Sequence, residues 1–220
     1  MHMRLYFDLS PNTEPVPWDY QHFLIGAFHK WLGRNRLHDR VSLYSLSWLT
    51  GGQRKGGSLT FPKGAMWFVS CYEIDIAKRL LGSVLSDPEV CCGMRITGAR
   101  LVEPPEFDGQ QRFFVATPVL VRRFDGQSVK HLTFAENGAD AVLTQTLQRK
   151  MKFAGLDEPK VAVEFDRTYP KARTKLVSIK GIHNKASLCP VIVRGSPRAA
   201  AFAWEVGIGH STGSGFGALC

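Results

Sequence analysis

The C-terminal stretch Gly207-Ile208-Gly209-His210-Ser211-Thr212-Gly213-Ser214-Gly215-Phe216-Gly217 carries fragments of three chemistries. Gly209-His210-Ser211-Thr212-Gly213 fits G-x-S-x-G, the turn that presents a nucleophilic serine. Such a turn is followed by a helix and by acid and histidine partners, and only the nine residues up to Cys220 follow Ser211. Gly207-Ile208-Gly209 has the spacing of a dinucleotide-binding turn, which lies early in a β-α-β unit with a long helix behind it. Ser214-Gly215-Phe216-Gly217-Ala218-Leu219 shares part of the RNA-recognition octamer but lacks its leading basic residue and its later aromatics. What survives is physical. Closely spaced glycines expose backbone N–H groups, and a turn after a short helix can gather them into a nest for a phosphate. The alternative is a tight turn into an edge strand that needs positive φ.

Other reactive residues point away from metals and disulfides. Cys71, Cys91, Cys92, Cys189 and Cys220 are odd in number and contain no C-x-x-C pair, so free thiols are expected. His22, His29 and His38 have no neighbouring cysteine and only scattered acids, so neither a metal site nor a cofactor is expected.

Charge is more telling. The 220 residues carry a formal net charge of +9, and its distribution decides what the charge is for, since nucleic acid needs cations gathered on one surface. Between Arg167 and Trp204 there is no acid, and Lys171, Arg173, Lys175, Lys180 and Lys185 lie there with Arg167, Arg194 and Arg198. A second acid-free zone, residues 40–72, carries Arg40, Arg54, Lys55 and Lys63, two of them in the loop Gly51-Gly52-Gln53-Arg54-Lys55-Gly56-Gly57. A lone basic run reads as a solvated face, but two such zones favour a polyanion. If about eight phosphates are neutralised, log affinity should fall with log salt at a slope of roughly −6.

The elements that must position these residues follow from periodicity. With 44% hydrophobic and 21% charged residues the chain is ordered, and it has no apolar run of membrane-span length. The opening residues show no signal-like segment, so a cytoplasmic location without membrane association is expected. Residues 4–9 alternate as a strand, and 21–32 have helical spacing capped by Gly33. Residues 41–49 and 65–72 read as strands, 74–85 as a helix and 94–103 as a strand, completing β-α-β-β-α-β. After Pro104-Pro105 the series restarts. Strands are expected at 113–121 and 127–134 around Asp125-Gly126, then a helix at 139–153. Further strands are expected at 160–169, 174–182 and 188–193, a short helix opening at Ser196-Pro197, and a final glycine-rich turn with a last strand. The expected fold class is α+β, with tandem ferredoxin-like domains at 1–104 and 105–220.

Taken in order, certain segments give the chain a family likeness. They are Met3-Arg4-Leu5-Tyr6-Phe7, Val16-Pro17-Trp18-Asp19-Tyr20, Leu37-His38 ahead of Leu43-Tyr44-Ser45-Leu46-Ser47, Pro118-Val119-Leu120-Val121, Ile179-Lys180-Gly181, and Gly207-Ile208-Gly209 through Gly215-Phe216-Gly217. Along nearly its whole length the chain resembles the CRISPR-associated repeat endoribonucleases of the repeat-associated mysterious protein superfamily. The resemblance implies metal-independent cleavage of precursor CRISPR RNA within the repeat, releasing a guide RNA. It also implies catalytic histidines on the first helix or just after it, which here are His29 and His38. The family's tail has charged residues after its second glycine, where this chain has His210-Ser211.

The implied chemistry needs a base for the ribose 2′-OH, an acid for the departing 5′ oxygen and a cation for the phosphorane. Imidazoles serve near neutrality, each contributing about 10² to 10⁴ in rate, and Arg40 can offset the charge. His29 could equally be a packed helix residue beside Phe28, and Arg40 a plain phosphate contact. Arg34, Arg36, Arg54, Lys55, Lys171, Arg173, Lys175, Lys180, Lys185, Gly207, Gly209, His210, Ser211 and Gly213 are the expected RNA-binding set. Expected partners are the repeat RNA, as precursor and mature guide, with effector-complex subunits or a homodimer as further possibilities. Two readings compete with the enzyme: a catalytically inactive repeat-binding subunit, and a nucleic-acid protein outside CRISPR systems.

Overall fold

Alternation in the first strand decides the layering of the first half. In a computed structural model of the chain, which describes residues 3–33, 41–126 and 128–220, β1 (Met3–Leu9) buries Met3, Leu5, Phe7 and Leu9 on one face. Against that face lie α1 (Gln21–Leu32) and α2 (Ile74–Ser86), whose apolar residues recur at helical spacing. Phe7, Trp31 and Trp67 meet there with ring centroids 5.7 to 5.9 Å apart. The remaining strands are β2 (Tyr44–Leu46), β5 (Ala65–Cys71), β6 (Glu89–Cys91) and β7 (Met94–Val102). The sheet order is β2-β5-β1-β7-β6 with antiparallel neighbours, the ferredoxin-like arrangement plus one edge strand. Between β2 and β5 stands an exposed hairpin of β3 (Gln53–Lys55) and β4 (Ser58–Thr60).

A second core gathers the later residues. Its sheet runs β11 (Ala162–Phe165), β14 (Val191–Arg194), β8 (Gln110–Phe113). The position of a fourth strand is taken by the tail, reduced to a single bridge between Val115 and Leu219. With α3 (Ala139–Phe153) and α4 (Pro197–Val206) this is a second ferredoxin-like unit. Two hairpins are inserted into it: β9 (Val121–Asp125) with β10 (Ser128–Leu132), and β12 (Arg173–Ile179) with β13 (Ile182–Leu188). Side chains join them: Arg122 donates to Asn184 Oδ1 (3.0 Å), and the Lys185 backbone N–H donates to His131 Nδ1 (3.2 Å).

The two units lock through the second face of the first sheet. Arg4, 1% exposed, donates to Ser70 and to the carbonyls of Trp204 (3.0 Å) and Leu219 (2.8 Å). Its guanidinium lies over the Trp204 ring at 3.7 Å and the Phe68 ring at 4.1 Å. Burial lowers its pKa, a cost these contacts offset.

Several expectations change in extent. The strand expected at 41–49 shortens to Tyr44–Leu46, since Leu43 and Tyr72 turn into the second core. Of the strand expected at 113–121, only Phe113, the end of β8, and Val121, the start of β9, lie in strands, with isolated bridges at Val115, Val119 and Leu120 between them. The run expected at 160–169 narrows to Ala162–Phe165, and that expected at 188–193 starts three residues later and ends one later, at Val191–Arg194. The strand expected at 174–182 breaks at Lys180 and Gly181, both at positive φ, into the β12–β13 turn. No helix among the described residues is long and apolar enough to cross a membrane.

Candidate nucleic-acid interface

Ser196 opens α4 by accepting from the Ala199 backbone N–H (3.1 Å), with Pro197 in the first turn, and Gly207 at φ 69 ends the helix. The chain then folds back on itself. Ile208 donates to Gly217 O (2.9 Å), His210 to Leu120 O (2.8 Å) and Gly217 to Pro118 O (2.9 Å). A Cβ at Gly217 would stand 1.9 Å from Ile208 O, and one at Gly209 would stand 2.6 Å from Leu120 O. These glycines are therefore demanded by the close approach of backbone to backbone.

That finding revises the weight of the tail residues. Gly207, Gly209 and Gly213 are buried, whereas His210 and Ser211 are half-buried. The Gly207, Ile208 and His210 amides donate within the protein, as do those of residues 214–217. Among the described residues, the amides of Gly209 and residues 211–213 donate to no protein acceptor, and of these four residues only Ser211 is half-buried, the others being buried. Ser211, at φ 58, starts the 3-10 turn Thr212–Ser214.

The tail turn packs against both α1 and β2. On that side the Phe28 ring lies 4.7 Å from Tyr44, and a Gly213 Cβ would stand 2.8 Å from both the Tyr44 and Ser42 hydroxyls. Burial raises the Tyr44 pKa, so its phenol is neutral. His29 is half-buried on α1, its ring 5.2 Å from Phe28 in edge contact. The other candidate catalytic residues, His38 and Arg40, lie outside the described residues, as do Arg34 and Arg36.

Lys150 holds the tail from the other side. Its Nζ donates to Val206 O (2.9 Å), Gly207 O (3.3 Å) and Thr212 Oγ1 (3.0 Å), so all three of its donors are used. Burial pushes its pKa down to about 7. Sequence reading missed this residue. The available signal was a lysine beside Leu143, Leu147 and Met151 in the buried stripe of α3.

His210 faces the β9–β10 hairpin. The Arg122 backbone N–H donates to His210 Nδ1 (3.2 Å), and the Phe124 ring, 67% exposed, lies 6.3 Å from the imidazole. Burial first and Arg122 second push the His210 pKa down to about 4, so the ring is neutral at physiological pH.

The expected cations divide by position. Lys171, Arg173, Lys175, Lys180 and Lys185 are all exposed on or beside the β12–β13 hairpin. Lys175 Nζ lies 4.6 Å over the Trp48 ring, and Trp48 Nε1 donates to Gly215 O (2.9 Å), tying hairpin, first unit and tail together. Arg54 and Lys55 are exposed on β3, with Arg54 5.2 Å from the Trp18 ring. The ends of the long acid-free run are not acid-free in space. Arg167 pairs with Asp140 (2.7 Å) and Arg194 with Glu164 (2.6 Å).

Two ferredoxin-like units in tandem, the second closed by a glycine-rich tail, make up the fold. Residues 102–220 match the family model described as CRISPR associated protein Cas6, C-terminal, and the chain belongs to the Cas6 family. Solved structures agree in fold. A Cas6-related protein from Pyrococcus furiosus is 18% identical with a TM-score of 0.85, the alignment covering 100% of this chain and 98% of that one. A structure described as an RAMP protein binding different RNA substrates is 19% identical with a TM-score of 0.82, covering 99% and 98%. A Cas6 product complex is 14% identical with a TM-score of 0.71, covering 100% of both chains. No curated protein sequence matches the chain.

Proposed function

We propose that this protein is a metal-independent endoribonuclease that cuts precursor CRISPR RNA within the repeat. The observation that carries the reading is the packing of the tail turn Thr212–Ser214 against α1, the helix that bears His29, in a chain of the Cas6 family. One imidazole of His29 and His38 takes the proton from the ribose 2′-OH, and the 2′ oxygen attacks the adjacent phosphorus. The bond from phosphorus to O5′ breaks, and the other imidazole gives its proton to that oxygen. Arg40 balances charge on the non-bridging oxygens. The products are a 2′,3′-cyclic phosphate and a 5′-OH.

In this reading residues 1–104 supply the histidines, and residues 105–220 supply the exposed cations of the β12–β13 hairpin and the tail. Arg54 and Lys55 add phosphate contacts from the first unit, and His210 and Ser211 meet the RNA at the tail. The test is incubation of the purified protein with repeat RNA in EDTA, followed by analysis of the new ends. A single cut with cyclic phosphate and 5′-OH ends supports the proposal. Tight binding without a product would instead make the protein a non-catalytic subunit that holds the repeat.

A further inference from the structure

The C-terminal turn of α3 forms one wall of an open cleft of about 760 Å³, within the ~300–1,000 Å³ typical of small-ligand sites. The opposite wall is the tail at residues 209–212, and the rim includes Val41 and Ser42, which continue directly from His38-Asp39-Arg40 in sequence. Among the described residues, no acidic side chain lines it. Thr146, Arg149 and Phe153 project from α3 at spacings of three and four, so they share a face.

Three features set this wall apart from an ordinary basic helix end. Arg149 and Lys152 are exposed and enter no ion pair among the described residues, unlike Arg112, Lys130, Arg167 and Arg194. Phe153 is 49% exposed and lines the cleft with them. Lys150 has its donors committed to the tail, so the charge available to a ligand comes from its two neighbours. Cations suit an anion, and a half-exposed ring suits a flat apolar face. A nucleotide offers both.

We propose that this cleft holds an unpaired nucleotide of the RNA next to the cut bond, with the base stacked on Phe153 and flanking phosphates met by Arg149 and Lys152. The proposal rests on the RNA-processing reading above and adds residues that lie outside both acid-free zones of the sequence.

The test uses the full chain and a CRISPR repeat RNA, made with 2′-deoxyribose at the cut nucleotide so that it binds without reacting. A set of these RNAs carries one abasic position each, walked along both sides of the cut. Phe153→Ala is expected to bind the intact RNA about tenfold more weakly. One abasic position near the cut should weaken wild type by a similar factor, and the two losses should not add. Phe153→Trp, which keeps a stacking face, should restore affinity. The double variant Arg149→Ala/Lys152→Ala should make the salt slope shallower by about 1.4. Wild-type affinity in Phe153→Ala, or losses that add at every abasic position, would overturn the cleft assignment while leaving the RNA reading intact. A wild-type protein that does not bind the repeat at all would overturn both.

Discussion

Two glycine-rich segments of this chain look alike in composition and differ in what their glycines do. In the tail, Gly207, Gly209 and Gly217 have positive φ, and an added Cβ would collide with a carbonyl oxygen at 2.6 Å or less. In the β3–β4 hairpin, Gly56, also at positive φ, and Gly57 are exposed, and an added Cβ would meet nothing within 4 Å. The tail is a packed wall whose glycines let backbone lie on backbone. The hairpin is a free arm that carries Arg54 and Lys55. Glycine content alone therefore does not mark an anion-binding loop.

The comparison can be broken by substitution. Gly217→Ala combines a positive φ with a Cβ 1.9 Å from Ile208 O, and it is expected to lower unfolding free energy by about 3–5 kcal/mol in denaturant titration. Lys150→Met should cost about 2–4 kcal/mol, because three acceptors lose their donor at once. Gly57→Ala should change stability by less than about 0.5 kcal/mol. If Gly57→Ala proved as damaging as Gly217→Ala, the contrast between wall and arm would be lost.

Binding sharpens the same contrast. Arg54→Ala/Lys55→Ala should leave stability unchanged and make the salt slope for repeat RNA shallower by about 1.4. An unchanged slope would take the arm out of the interface. The tail should respond to pH instead. The folded-state pKa of His210 is about 4, below its ordinary 6.5, so the unfolded chain binds more protons between those values. The stability it contributes is present above pH 6.5 and is lost as pH falls towards 4. His210→Asn should flatten that part of the stability profile, as read from thermal melts across pH 4 to 7.

Much of the fold was legible because its helices are amphipathic. The apolar spacing in residues 21–32 and 139–153 gave α1 and α3 at their observed limits. The tandem ferredoxin-like order followed from strands that bury one face. The short exposed strands β3, β4 and β6 left no alternation to read, since neither of their faces is fully buried. The tail's last strand is a single bridge, because its glycines are used for close approach instead of pairing.

The site was less legible, for reasons of distance along the chain. Exposed cations at Lys171, Arg173, Lys175, Lys180 and Lys185 were visible as an acid-free run. The pairing of Arg167 and Arg194 was not, because Asp140 and Glu164 come from other elements. Lys150, Arg149 and Phe153 read as an ordinary helix end until folding lays residues 206–212 against them.

The central claim is that two imidazoles from the first half cut an RNA held largely by the second. Its most direct test is the single-turnover cleavage rate of His29→Ala/His38→Ala on repeat RNA in EDTA, with affinity measured alongside. The account predicts a rate at least ~10²-fold below wild type with affinity kept within a few-fold. Cleavage at the wild-type rate by that variant would contradict it.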